Sequence, residues 1–239
     1  MDVSDMNLAG HLEELRKRII LTLISFVVAF GGAFVYVKNM YSWLVRDLDG
    51  KLTILGPTDI LWVYFMIAGV FAVAVTIPVA GYQTWSFLKP AFSLEERKAT
   101  LGFIPALAIL FVIGICFGYF ILFPIVLSFM KEMAADQVLM MYTVEKYFRF
   151  MINLTLPLGL LFEMPVVVMF LTRLGILNPL RLAKARKVSY FTLSVISIFI
   201  TPPDFISDII VIVPLLILYE LSITLSRIVY NKKLRVGIQ

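Results

Sequence analysis

Four short stretches of this chain carry residues whose types and spacing can do chemistry. HLEELRKR at 11–18 sets Glu13 and Glu14 beside Arg16, Lys17 and Arg18. FLKPAFSLEER at 87–97 follows Phe87 with a proline-fixed bend and two more carboxylates, Glu95 and Glu96. FEMP at 162–165 puts Glu163 in the middle of an apolar run. TPPD at 201–204 is followed by Asp208, one helical turn beyond Asp204.

Two separated carboxylate clusters can hold two guanidinium groups. An Arg fork binds a carboxylate bidentately, and a lysine does not reproduce that geometry. The competing reading is that these glutamates pair with neighbouring Lys and Arg on the surface. The residues alone leave both open. Glu163 is different, because a charge facing lipid costs several kcal/mol. It therefore faces the interior of a helix bundle, a water-filled hollow or a polar partner, or it is protonated. Asp204 is placed as the N-cap of the last helix, and Asp208 falls on the same side one turn on. Capping explains Asp204 but not Asp208. Glu220, further along, is placed to pair with Arg227 or with the basic loop before it.

Other chemistries are excluded. Neither GxxxxGK[ST] nor GxGxxG occurs, so no nucleotide-driven work is expected. The single histidine, His11, has no Cys or His partner at metal-ligand spacing, so no metal or cofactor is expected. Ser25, Ser194 and Ser197 have no His or Lys support in sequence, which argues against a nucleophilic enzyme. Cys116 sits in an apolar run and reads as a small buried hydrophobe.

The elements that must position these residues are membrane helices. Of 239 residues 61% are hydrophobic and 15% charged, against roughly a quarter charged in soluble domains. One soluble core cannot bury so much apolar surface, so the chain is expected to be an all-α integral membrane protein. It reads as a single six-helix transmembrane domain over 1–239, with helices near 19–37, 60–85, 101–123, 148–171, 188–200 and 205–221. The last two are expected to be short, since 188–200 reaches only about 20 Å and two prolines follow it. Pro78, Pro105, Pro124, Pro157, Pro165 and Pro214 lie in or beside the apolar runs, which favours kinked helices and a curved or concave bundle. Before the first run, Leu8, Leu12, Leu15 and Ile19 form one face of an amphipathic helix expected to lie on the membrane surface.

The net charge is +5, yet nucleic acid is not the expected partner. The basic residues flank the apolar runs. Fifteen fall in the N-terminal segment, the second-to-third and fourth-to-fifth connections and the C-terminal tail, and six on the other side. The positive-inside rule puts both termini in the cytoplasm. The polar first 18 residues do not read as a cleavable signal peptide.

Together HLEELRKR, FLKPAFSLEER, FEMP and TPPD, in this order and spacing, resemble the TatC family, the multi-spanning subunit of the twin-arginine protein translocase. Pro57-Thr58-Asp59 resembles a family Pro-Thr-Glu element, with Asp in place of Glu. The resemblance runs through the whole chain. It implies a receptor in the bacterial inner membrane that binds the twin-arginine signal peptides of folded cargo at its cytoplasmic face. By position it implies Glu14 and Glu96 as the arginine ligands, with Arg16 and Phe87 in the same patch. Glu163 would be a polar site on the concave face. Thr201, Asp204 and Asp208 would lie where single-span TatA- and TatB-type subunits dock, in an oligomeric complex driven by the proton gradient. Many members carry Gln where Asp208 stands, so a hydrogen-bond role there does not transfer directly. The alternative is a proton-coupled small-solute transporter using Glu163, which needs a second polar residue facing it at the same depth. A passive scaffold is the blandest reading.

Overall fold

A computed structural model describes residues 3–46, 52–91, 97, 100–134, 142–201 and 205–236, with side chains at 3–9, 91, 134, 205 and 233–236 left aside. The helices are α1 (Val3–Val45), α2 (Asp59–Leu88), α3 (Phe103–Phe117), α4 (Phe123–Ala134), α5 (Val144–Phe162), α6 (Met164–Arg173), α7 (Pro179–Lys184), α8 (Arg186–Ile200) and α9 (Phe205–Val236). Among the described residues, Gly10–Val45, Asp59–Leu88, Phe103–Met133, Val144–Arg173 and Ile206–Lys232 are long and apolar enough to cross a membrane. Large apolar side chains such as Val35 (77% exposed) and Phe199 (84% exposed) stand outward, a surface suited to lipid rather than water.

Two compact units make up the chain, Met1–Leu48 with Tyr64–Ala108 and Asp49–Val63 with Ile109–Gln239. In the first, α1 and α2 run antiparallel. Phe30 of α1 stacks on Phe65 of α2 at 5.9 Å, Phe34 lies tilted against the same ring at 5.2 Å, and Tyr41 meets Tyr64 edge-on at 5.8 Å. Ala33, Ala68 and Ala72 are buried, and small residues there let helix backbones approach. Near the ends of the connection after α2, the Trp85 indole N–H donates to Thr100 Oγ1 at 2.9 Å, and Arg97 Nε donates to the Lys89 carbonyl at 3.1 Å.

In the second unit α3 passes through a π-helical turn (Gly118–Leu122) before α4. Phe123 N–H bonds the Gly118 carbonyl five residues back. The widened turn precedes Pro124, which has no N–H for the carbonyl four residues before it. Gly118 is fixed by close approach: a Cβ there would lie 2.9 Å from Thr155 Cα of α5. Cys116, two residues away, consequently points outward and is exposed, which corrects the expectation of a buried thiol. Between α5 and α6 the chain tightens, because Pro165 offers no N–H to the Leu161 carbonyl. Glu163 N–H bonds the Leu160 carbonyl at 3.1 Å instead, and the helix restarts. Helix α6 ends in a Schellman turn: Gly175 N–H bonds the Thr172 carbonyl, Ile176 N–H bonds the Leu171 carbonyl, and Gly175 supplies φ 82°.

Helix α9 packs along α6, α7 and α8. Buried Thr172 and Ser226 hydroxyls meet at 2.7 Å, and Tyr219 Oη donates to the Leu182 carbonyl at 2.8 Å. At the start of α2, Leu55 and Gly56 N–H both donate to Asp59 Oδ2 at 2.9 Å. A parallel bridge pairs Thr53 with Thr143. Thr143 also caps α5, its hydroxyl accepting from Lys146 N–H.

Several expected boundaries move. The surface helix and first apolar run are one helix of 43 residues. The last helix is not short but 32 residues long: it runs through Pro214, and no further Pro or Gly occurs up to Val236. Of the expected short pair, only α8, with 15 residues, falls below spanning length.

Candidate functional site

In the first unit, His11, Glu14 and Arg18 recur at three- and four-residue spacing and so share one face of α1. That face meets α2. The His11 and Phe87 rings lie 4.3 Å apart at 30°. Arg18 Nη2 donates to Glu14 Oε1 at 2.8 Å, and its Nη1 donates to Gln83 Oε1 at 3.1 Å. Glu14 remains 35% exposed by its side chain and Arg18 25%. The arrangement is a carboxylate beside an aromatic surface, already held by an internal guanidinium. Such a group can recognise a cationic side chain with an apolar neighbour.

Two of the residues expected in this patch, Glu14 and Phe87, thus stand at one seam. Arg16 is exposed and sits two positions from Glu14, where helical residues do not face each other. Glu96 lies outside the described residues, as do Glu95 and Asp204. Sequence reasoning passed over His11, Arg18 and Gln83. The spacing of 11, 14 and 18 pointed to the first two, whereas Gln83 carries no local signal.

Glu163 is 7% exposed, within the second unit, and so is buried in protein. The Phe111 backbone approaches it, but among the described residues neither carboxyl oxygen finds a hydrogen bond of acceptable geometry. An unsatisfied buried carboxyl has not been kept for stability, since leaving polar atoms unmade costs about 1–3 kcal/mol.

Thr201 and Asp208 are brought together by the α8–α9 hairpin. Thr201 Oγ1 donates to Asp208 Oδ1 at 2.7 Å, and Ser197 Oγ lies 3.2 Å from the same oxygen. Asp208 therefore acts as an acceptor, the role open to an ionised carboxylate. At the other end of the hairpin Arg186 binds Glu220 through two nitrogens at 2.8 Å each, and Tyr190 Oη donates to Glu220 at 2.6 Å. Of the two partners expected for Glu220, it takes the basic connection. Ser197 and Tyr190 were not anticipated, because each joins its site across the turn between two helices.

Long apolar helices whose few polar side chains meet at helix seams define a multi-pass helical membrane protein. The family described as "Sec-independent protein translocase protein (TatC)" matches residues 10–214, and the chain belongs to that family. It is 60% identical over 235 residues to "Sec-independent protein translocase protein TatCd" of Bacillus subtilis (strain 168), covering 98% of this chain and 97% of that one. It is 45% identical over 236 residues to TatCy of the same organism, covering 97% and 93%. Among solved structures it resembles a crystal structure of "Twin Arginine Translocase Receptor- TatC", with TM-score 0.77, 31% identity, and 92% and 99% of the two chains covered. A second such structure, in DDM, has TM-score 0.81 and 32% identity, covering 90% and 99%. The chain is accordingly a protein-translocase component, a transport subunit rather than a catalytic enzyme, and family membership implies a complex with other subunits.

Proposed function

We propose that this chain is the receptor subunit of the twin-arginine translocase in a bacterial inner membrane. It binds twin-arginine signal peptides of folded cargo at its cytoplasmic face, where both termini lie. Glu14 and Glu96 are the guanidinium ligands, with Phe87 in the same patch and Arg16 on the adjoining face of α1. Six helices form a concave bundle, α8 being the short crossing, with Glu163 as its polar site. Single-span TatA- and TatB-type subunits dock near Thr201, Asp204 and Asp208. One chain of this size is too small to enclose a passage for folded cargo, so an oligomeric complex does the transport, driven by the proton gradient.

The observation that carries this reading is the seam of α1 and α2, where Glu14 lies one helical turn from His11, whose ring lies tilted against that of Phe87. A fork-binding carboxylate with an aromatic surface close by suits an arginine-bearing peptide with apolar flanks. The solute-transporter alternative is not supported. It required a polar side chain facing Glu163, and among the described residues none hydrogen-bonds to it.

The test is signal-peptide affinity for the purified protein in detergent. A paired-arginine peptide is compared with its paired-lysine twin, on the native chain and on Glu14→Gln and Glu96→Gln. Losing one bidentate charge pair at a partly desolvated site costs about 2–5 kcal/mol, so each variant is expected to weaken arginine binding at least tenfold and erase the preference over lysine. Unchanged affinity in both variants overturns the assignment.

A further inference from the structure

Glu14 is not an empty receptor. Arg18 stands one turn along α1 and holds Glu14 Oε1 through one terminal nitrogen, while its other terminal nitrogen is held by Gln83 of α2. The two acceptors come from positions 65 residues apart in the chain for Gln83 and four apart for Glu14. Arg18 is thereby kept at the seam, less exposed than the carboxylate it binds. Its contact with Glu14 uses one nitrogen and one oxygen. An incoming guanidinium that binds as a fork needs both oxygens of Glu14. It meets Oε1 already engaged and a like charge beside it. Two guanidinium groups on one carboxylate repel, so the second can seat fully only when the first withdraws.

We propose that Arg18 is a built-in competitor for the arginine site: it occupies Glu14 in the free protein and must be displaced from it when a peptide guanidinium binds. This rests on the reading of Glu14 as an arginine ligand. The consequence for specificity follows from population arithmetic. The apparent dissociation constant is the intrinsic one divided by the fraction of chains whose Glu14 is free. That fraction is a property of the protein, so it scales arginine and lysine peptides alike. Arg18 therefore sets the threshold affinity a signal must exceed, and leaves the arginine-to-lysine ratio to the carboxylate geometry. Its role is positional: it does not touch the peptide, and it acts through Glu14. A partly exposed pair at helical i,i+4 spacing is weak enough to be opened by a peptide and strong enough to be felt.

The experiment measures paired-arginine and paired-lysine peptide affinities for the full-length protein in detergent, on the native chain, Arg18→Gln, Glu14→Gln and the double variant. Arg18→Gln is expected to tighten both peptides by about two- to fivefold, with their ratio unchanged. In the Glu14→Gln background the same substitution is expected to give no gain. A purely structural Arg18 predicts the opposite sign, since loss of the seam contact would weaken binding. Weaker or unchanged binding in Arg18→Gln, while Glu14→Gln still weakens it, overturns the competitor and leaves the receptor reading intact. A gain that persists undiminished without the Glu14 carboxylate also overturns it, because it then reports only the removal of positive charge. No effect of Glu14→Gln at all removes Glu14 from the arginine ligands, and with it the reading on which this proposal rests. If Arg18→Gln does not fold, Gln83→Leu decides. It removes one hold on Arg18 and leaves every charge in place; Arg18 is then kept beside Glu14 less of the time, and by the same arithmetic the peptide is expected to bind about twofold more tightly. A weaker or unchanged peptide with Gln83→Leu overturns the proposal.

Discussion

Replacing Glu163 by Met is expected to make the folded chain more stable while abolishing transport. The carboxyl is 7% exposed, and among the described residues neither oxygen has a hydrogen-bond partner. Removing buried polar atoms that lack partners recovers about 1–3 kcal/mol. Met is slightly longer than Glu but flexible, and such volume-conserving swaps usually cost under about 1.5 kcal/mol. The balance favours the variant by about 1 kcal/mol, which at this chain length is a rise of about 2–4 °C in Tm. Thermal unfolding in detergent micelles, followed by tryptophan fluorescence, reads it directly. Glu163→Gln keeps two polar atoms in the same place and is expected to leave Tm near the native value. The same variants are assayed for export of a twin-arginine cargo into membrane vesicles. A drop of several degrees for Glu163→Met would show that the carboxyl does find a partner, and the reasoning from unsatisfied oxygens would be wrong. A Met variant that exports at the native rate would remove Glu163 from the proposed function.

Gly118→Ala places a Cβ 2.9 Å from Thr155 Cα, where only backbone movement gives relief, and is expected to lower stability by about 1–3 kcal/mol in the same melt. Thr172→Val breaks the buried hydroxyl pair with Ser226 and is expected to cost about 0.6–1.7 kcal/mol. Adding Ser226→Ala should return part of that loss, and additive losses would show that the two hydroxyls are not coupled. Asp59→Ala leaves the Leu55 and Gly56 N–H groups without their acceptor and is expected to cost about 1–2 kcal/mol, with Asp59→Asn losing less. Equal stability of the Ala and native chains would refute that account.

The chain's residues by themselves determined its class. Runs of apolar residues long enough for a bilayer admit only helices in a chain with no alternating pattern, because lipid offers no partner for the backbone. The four polar stretches were legible for a related reason. Carboxylates amid lysines and arginines, or within an apolar run, are costly enough to stand out from composition alone. Helix ends were not legible in this way. Composition marks where an apolar run stops, whereas a helix stops only where its hydrogen bonds do. Helix α1 therefore runs to Val45 and α9 to Val236, through polar residues of good helix propensity. Prolines behaved unevenly for the same reason. Pro78, Pro157 and Pro214 lie inside continuous helices, while Pro124 follows a π-turn and Pro165 a tightened one. Which response each takes is decided by neighbouring helices, such as α5 against Gly118.

Only the tertiary structure decided who meets whom. Glu14 and Arg18 share a helix face, so their pairing follows from a 3.6-residue period. Gln83 reaches Arg18, Ser226 reaches Thr172 and Arg186 reaches Glu220 across 65, 54 and 34 positions. Those partners depend on how helices rotate and slide against one another. Rotation and register are set by the small residues and side-chain shapes along each seam, and the period of a single helix does not encode them.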